Sequence, residues 1–345
     1  LKELLTNSRM QAVMTCPRKA YYAYELGLKP IVDAEPLRFG TAWHAAMQAR
    51  WQGKSIDEAF ECAINSAKEL DEQVIAIISG LLAGYYHHWG DATNEGETLP
   101  EQEFRHPIER SMTFDSAGKI DCIIKGQNRI KLLEHKTTSD DLSEDSMYWH
   151  RLKFNMQLYQ YFFGAKSLGY EIDEVTYDVV RKPMIQIKNS IPELDEAGRR
   201  IVIGPDGNRV YKKDGTPRES ADTKTGAVVK TRRETKEEFS QRLADDCIAR
   251  PEFYFARKQV PVLMSDLEAF TDQRLEIGKQ ILHYRARQKI VGVAGWPRNV
   301  QFWTCGRLCP YDSFCLQGLD VNPQCPPMGF EVRAKNEELS NIEAQ

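Results

Sequence analysis

The chain has 345 residues, 41% of them hydrophobic, enough to bury a large core in one elaborated domain or two. A net charge of −4 excludes a uniformly basic nucleic-acid binder, so any phosphate-binding surface must come from local patches. The longest uncharged stretch, 74–90, is interrupted by serine, glycine and two histidines, which favours a buried helix over a membrane span.

In chain order, residues 3–29 read as helical. Leu4, Leu5, Met10, Val13 and Met14 form an apolar stripe, Thr6-Asn7-Ser8 supply a start signal, and Gly27 and Pro30 supply the stop. No secretory signal is expected, because Leu1 to Asn7 holds no long apolar run. Further helices are expected over 39–51, 55–71 and 73–89, and the Gly-, Thr- and Glu-rich stretch 91–100 reads as a linker. Strands follow near 101–111, 118–125 and 129–137, then a helix over 149–168 and a strand over 175–181.

Between Arg181 and Arg233 there are 13 Lys and Arg against 7 Asp and Glu. Two turn signals, Pro205-Asp206-Gly207-Asn208 and Lys213-Asp214-Gly215-Thr216, suggest a basic hairpin arm able to track a phosphate backbone, with Arg181 and Lys182 at its root. A solvated surface insertion explains the same pattern. Thr235 and Glu238 form a capping-box pattern, and a strand over 252–260 and a helix over 265–288 come next. The expected organisation is a helical region (1–100), an α/β core (101–185), the basic insertion (186–234) and a second helical region (235–325). A tail (326–345) is expected to order only with partners.

The densest chemistry lies in Gly118-Lys119-Ile120-Asp121 and Glu134-His135-Lys136, two alternating runs around Gly126-Gln127-Asn128. A turn centred between Gln127 and Asn128 makes residue numbers in facing pairs sum to 255. Asp121 then lies opposite Glu134, and Lys136 shares the face of Glu134. Like charges so placed are destabilising unless neutralised, and a hard divalent cation is the economical neutraliser. The plain alternative is a solvated hairpin face.

Two flanking motifs sharpen the reading. Upstream is Phe39-Gly40-Thr41-Ala42-Trp43-His44; downstream, Gln157 and Tyr161 stand four apart on one helix face. The order His, Gly-x-x-Asp, Glu-x-Lys, Gln-x-x-x-Tyr resembles the RecB-like branch of the PD-(D/E)XK nuclease superfamily. That resemblance implies an α/β fold with a central mixed sheet flanked by helices, and a metal-dependent DNA exonuclease acting at ends. Asp121 and Glu134 would hold Mg²⁺ or Mn²⁺, with His44 and the His135 carbonyl as further ligands. Lys136 would act on the attacking water, Gln157 and Tyr161 would hold Lys136 or the DNA backbone, and Arg18 would lie near the substrate. Glu103 is a peripheral carboxylate. Tyr21, Tyr22, Trp149 and Phe154 are candidates for stacking on unpaired bases, or simply core.

Cysteine spacing adds a second signal. Cys305-x₃-Cys309-x₅-Cys315 lacks a fourth ligand, for which Cys16 is the leading donor and Cys325 the local competitor. An N-terminal cysteine with a C-terminal triplet resembles the iron–sulfur members of the same branch, AddB-like subunits and CRISPR-associated RecB-like exonucleases, which implies a [4Fe–4S] cluster joining the chain ends. A Cys₄ zinc site is the alternative. Cys62, Cys122 and Cys247 read as buried inert thiols. This thiol usage points to a reducing, cytoplasmic setting. No Gly-x₄-Gly-Lys-Ser/Thr loop is present, so unwinding would need a helicase or recombination partner. The other function class is a non-catalytic DNA-end-binding or scaffold module.

Overall fold

The chain crosses four times between two units: Leu1–Glu69, Asp91–Arg181 and Phe255–Gln345 form one, and Leu70–Gly90 and Lys182–Tyr254 form the other. The computed structural model describes residues 1–67, 69–90 and 96–339; residues 91–95 of the expected linker and 340–345 of the expected tail lie outside these.

In the first unit, strand β1 (Glu3–Leu5) precedes helix α1 (Asn7–Thr15), which Thr6 caps by accepting from Arg9 N. Cys16 is extended, as the residue before a proline tends to be, and α2 (Pro17–Ala20) restarts the helix. A π-helical turn, Tyr21–Glu25, leads to β2 (Leu28–Pro30). The helix expected over 3–29 is therefore divided, and Leu4 and Leu5 belong to a strand because pairing with the sheet buries both. Helices α3 (Glu35–Trp51) and α4 (Ile56–Ser66) follow, the latter behind a Ser55–Glu58 capping box. Helix α5 (Glu72–Trp89) belongs to the second unit.

The first unit resumes with β3 (Glu97–Pro107), β4 (Phe114–Lys125) and β5 (Ile130–Thr138). Strand β3 starts inside the stretch expected as linker, because Glu97–Leu99 pair with Ile123–Lys125. The helix expected over 149–168 is two, α6 (Met147–Leu152) and α7 (Met156–Ser167), separated where Asn155 caps the second through Gln157 N. Strand β6 (Glu174–Arg181) closes this segment.

In the second unit, four two-residue strands, β7 (Ile191–Pro192), β8 (Val202–Ile203), β9 (Val228–Val229) and β10 (Thr231–Arg232), form small antiparallel pairs. Both expected turns are present, each with an aspartate accepting from the backbone two residues on (Asp206 from Asn208, Asp214 from Thr216). The insertion is thus a set of short hairpins rather than one arm. Helix α8 (Lys236–Ala249), with its Thr235–Glu238 capping box, packs on α5, and α9 (Pro251–Tyr254) ends the unit. Gly80 permits that packing, since a Cβ there would lie 2.7 Å from Ser240 O.

Back in the first unit come β11 (Phe255–Val260), α10 (Met264–Val291), α11 (Asp312–Gln317) and β12 (Phe330–Val332). The expected free tail is anchored as far as Leu339: β12 pairs with β2, and Leu339 is fully buried. No helix among the described residues is long and apolar enough to cross a membrane.

The main sheet runs β1-β4-β5-β6-β11, with β3 along the other edge of β4. β1–β4 and β5–β6 are parallel and the remaining pairs antiparallel, giving the mixed α/β sheet expected. Four β4–β5 pairs, from Cys122↔Leu133 to Lys125↔Ile130, follow the 255 rule. β1 takes the start of the long strand β4 and β5 takes its end. Between them Ala117–Asp121 has no strand partner on that edge among the described residues, and the Gly-x-x-Asp motif falls in this gap. α7 fills it: Gln160, fully buried, donates through Nε2 to Leu5 O, Ser116 Oγ and Ala117 O at 2.9–3.0 Å.

Candidate active site and cysteine cavity

Helix α7 can approach the gap only because two glycines admit Phe104. A Cβ at Gly118 would meet the Phe104 ring at 2.9 Å, and one at Gly164 would meet it at 2.4 Å. The glycine of the Gly-x-x-Asp motif is thus a close-approach glycine, with Tyr161 next in contact.

Asp121 ends the gap. Its Oδ2 accepts from His135 N at 2.8 Å and faces His44 Nδ1 at 3.4 Å. Burial pushes its carboxyl upward, against the nearby Lys136 and the hydrogen bond from His135 N. Glu134 is fully buried, and burial together with Asp121 raises it to about 7. Its Oε1 pairs with Lys136 Nζ, while Oε2 has no hydrogen-bond partner among the described residues. Lys136 Nζ also donates to Gln157 Oε1 at 2.8 Å, and Gln157 Nε2 donates to Tyr161 Oη at 2.7 Å. A relay on α7 therefore fixes the lysine beside the carboxylates.

Helix α3 delivers His44 to the same place. Burial, with His135 beside it, pushes His44 down to about 4, so the imidazole stays neutral with a lone pair to offer. His44, Glu101 and Asp121 place one ligand atom each within 4.8 Å of one another. A cleft of about 710 Å³ opens over them, lined also by Thr6, Lys119, Gln157 and Tyr161. Two carboxylates and a neutral imidazole, with an orphaned carboxylate oxygen on Glu134, suit a divalent cation.

A model of the PD-(D/E)XK nuclease superfamily matches residues 5–316. The chain belongs to that superfamily. No curated protein matches it significantly. A solved structure titled "Crystal structure of SSO0001" aligns over 72% of this chain and 78% of its own, at 15% identity and a TM-score of 0.26, too weak a likeness to carry an argument. Membership in the PD-(D/E)XK nucleases implies metal-dependent nuclease activity with DNA as substrate.

Within this nuclease-superfamily fold, several expected residues land elsewhere. The His135 ring packs outside the cleft lining, with Nε2 accepting from Trp51 Nε1 at 2.8 Å and Nδ1 facing Asp178 at 3.4 Å, which does not bear on the carbonyl expected as the ligand. Arg18 is 5% exposed and donates to Trp296 O at 2.7 Å, so burial removes it from direct contact with DNA. Arg181 faces Asp141 at 3.6 Å with 12% of its side chain exposed, and Lys182 begins the second segment of the second unit. Tyr21 and Tyr22 pack in an aromatic cluster with Trp296, Tyr311 and Phe314, and Trp149 donates to Leu142 O; only Phe154 of the proposed stacking residues is exposed.

The carboxylate the motifs missed is Glu101, not Glu103. On β3 it is the residue opposite Asp121, but its φ of 52° takes it out of the ladder. Its Oε2 lies 2.5 Å from Lys119 Nζ. Nothing in Pro-Glu-Gln-Glu signals a left-handed residue. The one available clue is register, since the β3–β4 pairs sum to 222 and 101 complements 121.

Cys16, Cys305, Cys309 and Cys315 line one small cavity with Lys19, Arg298 and Val300. All four are free thiols, and Asn299 N donates to Cys16 Sγ at 3.5 Å. Burial raises the Cys309 and Cys315 thiols, which a ligated cation would offset. Cys325 is exposed and outside the cavity. Cys122 and Cys247 are buried as expected, whereas Cys62 is half-exposed, with Lys54 Nζ 3.8 Å from its sulfur.

Proposed function

We propose that this chain is an Mg²⁺- or Mn²⁺-dependent DNA exonuclease of the RecB-like, iron–sulfur type, acting on DNA ends in recombination, repair, replication or defence. The observation that carries the reading is the meeting of His44, Glu101 and Asp121 in one cleft beside the Glu134–Lys136 pair. A divalent cation held by these residues supplies Lewis-acid polarisation of the scissile phosphate and of the attacking water. Asp121 is oriented for ligation by His135 N–H, and His44 contributes a neutral nitrogen. Glu134 offers its unpartnered Oε2 to the same charge or to a water proton. Lys136, fixed by Glu134 and Gln157, stabilises negative charge developing on the phosphoryl oxygens. Tyr161 holds Gln157 and so sets the position of the lysine.

The shared cavity supports Cys16, Cys305, Cys309 and Cys315 as ligands of a structural [4Fe–4S] cluster. The cluster would join the N-terminal helices to the segment after α10. The proposed setting is the reducing cytoplasm, with a helicase or recombination protein as partner.

The test compares wild type and Lys136→Ala, purified anaerobically, on end-labelled DNA with Mn²⁺, Mg²⁺ or EDTA. Wild type is expected to shorten DNA only with metal, and the variant to be slower by about 10²–10³-fold. Equal cleavage by both proteins refutes the assignment. Binding without cleavage by wild type favours the scaffold reading. An iron-dependent visible absorption band that Cys16→Ala loses and Cys325→Ala keeps tests the cluster.

A further inference from the structure

The segment Trp296–Tyr311 is pinned at both ends and open in the middle. Trp296 and Tyr311 are 1% and 4% exposed, while Phe302 and Trp303 are 86% and 69% exposed. The turn that presents them is internally braced: Cys305 N donates to Gln301 O at 2.8 Å, and Cys309 N to Thr304 O at 2.9 Å. It is also tied to the N-terminal helices, since Asn299 Nδ2 donates to Thr15 O and Arg18 N to Pro297 O. Exposed aromatic surface on a braced turn costs solvation energy and gains nothing within the fold.

Charge identifies what covers it. The sixteen residues Trp296–Tyr311 contain Arg298 and Arg307 and no acidic residue, in a chain with a net charge of −4. Arg307 is exposed, and Arg298 reaches Cys315 O at 3.2 Å. A flat aromatic face beside unopposed arginines is the surface chemistry that accepts an unpaired base and its flanking phosphates. The two rings are 5.5 Å apart at 85°, so they meet edge to face rather than stacking on each other, and one base stacks on Trp303. A duplex offers its base faces only at a terminus, so the surface favours single strands.

We propose that the turn Gln301–Leu308 is a single-base stacking platform for single-stranded DNA, with Trp303 as the stacking face and Arg307 as a phosphate contact. The proposal rests on the nuclease reading for its ligand class, but its assay needs no cleavage.

Trp303 is also a built-in probe: Trp43, Trp51, Trp149 and Trp296 are each at most 5% exposed, and a Trp89→Phe background removes the emission of the half-buried Trp89. Protein prepared anaerobically and held in EDTA is titrated with an oligothymidylate, with an oligouridylate and blunt duplex as comparisons. Oligothymidylate is expected to quench the emission that acrylamide also reaches. Trp303→Ala is expected to weaken oligothymidylate binding by about 5- to 100-fold, with Trp303→Phe restoring most of it and blunt-duplex affinity little changed. Arg307→Gln is expected to lower the salt slope on single strands by about 0.7. Wild-type affinity in Trp303→Ala, absent quenching, or a preference for oligouridylate overturns the proposal. Quenching that follows protein concentration without DNA overturns it in favour of a second copy on this face. Duplex cleavage with Mn²⁺, measured alongside, separates the two readings: a wild type that is quenched but never cleaves refutes the nuclease and leaves the platform standing.

Discussion

Glu134, fully buried beside the cleft, is the site's most consequential carboxylate, and its burial predicts a stability defect that chemistry alone would not. In the cation-free protein its carboxyl is raised to about 7 from an ordinary 4.5, first by burial and then by Asp121. The native state therefore holds this proton between those values while the unfolded chain releases it, so its contribution to stability falls as pH rises through that window. Integrated, the ionised carboxylate costs the fold about 3 kcal/mol near pH 8 and about 1 kcal/mol near pH 5. Glu134→Gln removes the titration and keeps the shape. In urea denaturation with EDTA, the variant should gain on wild type by about 2 kcal/mol between about pH 5 and pH 8, with the m value unchanged. Taking the difference at each pH largely cancels His44, whose depressed pKa acts in the opposite direction. Mn²⁺ should then stabilise wild type more near the higher pH, and the variant much less. A gap between variant and wild type that stays constant with pH would show that burial does not dominate this carboxylate.

Glu101→Gln should weaken Mn²⁺ binding, measured by calorimetry, by about 10- to 100-fold, while Glu103→Gln leaves it unchanged; equal effects would remove Glu101 from the site. Gly164→Ala drives a Cβ into three Phe104 ring atoms at 2.4–2.6 Å and should lower stability by about 1–3 kcal/mol, read as a reduced urea midpoint. An unchanged midpoint would mean that α7 is not seated on β3 as described. Glu3 is held down to about 2, chiefly by hydrogen bonding from Arg285, so its stabilisation is present above 4.5 and lost as pH falls towards 2. With 38% of that side chain exposed, screening leaves about 1 kcal/mol, and Glu3→Gln should lose that near neutrality and nothing at about pH 2. A loss that persists in acid would point to packing rather than charge.

The hairpin was legible because two short-range facts fix it: a turn-forming triplet and strict alternation on either side. Together they set the register from Cys122↔Leu133 onward; the ladder stops there, and Asp121 meets β5 through its carboxylate on His135 N rather than as the ladder partner of Glu134. The N-terminal strand was not legible. Leu4 and Leu5 fit a helical stripe equally well, and what decides between the two is a parallel partner more than a hundred residues away. The place of Arg18 near the substrate came from the resemblance alone, and nothing local in the sequence announces the distant carbonyl of Trp296 that receives its side chain.

Glu101 carries the argument furthest. A residue in an extended ladder opposite Asp121 would pair its backbone, and its side chain position would follow from alternation. With φ at 52°, Glu101 leaves the ladder, a conformation costing on the order of 1–3 kcal/mol for a non-glycine residue. Such strain persists only where the surroundings over-determine it, and here Lys119 holds the displaced carboxylate at 2.5 Å in the mouth of the cleft. A cation at His44, Glu101 and Asp121 would compete with Lys119 for that carboxylate and release the ammonium group into the cleft, where phosphate is the available partner. Lys119→Ala should therefore bind Mn²⁺ more tightly than wild type, because the competitor is gone, while binding DNA more weakly in the presence of metal. Weaker Mn²⁺ binding by that variant would mean that Lys119 organises Glu101 for the cation instead of competing with it.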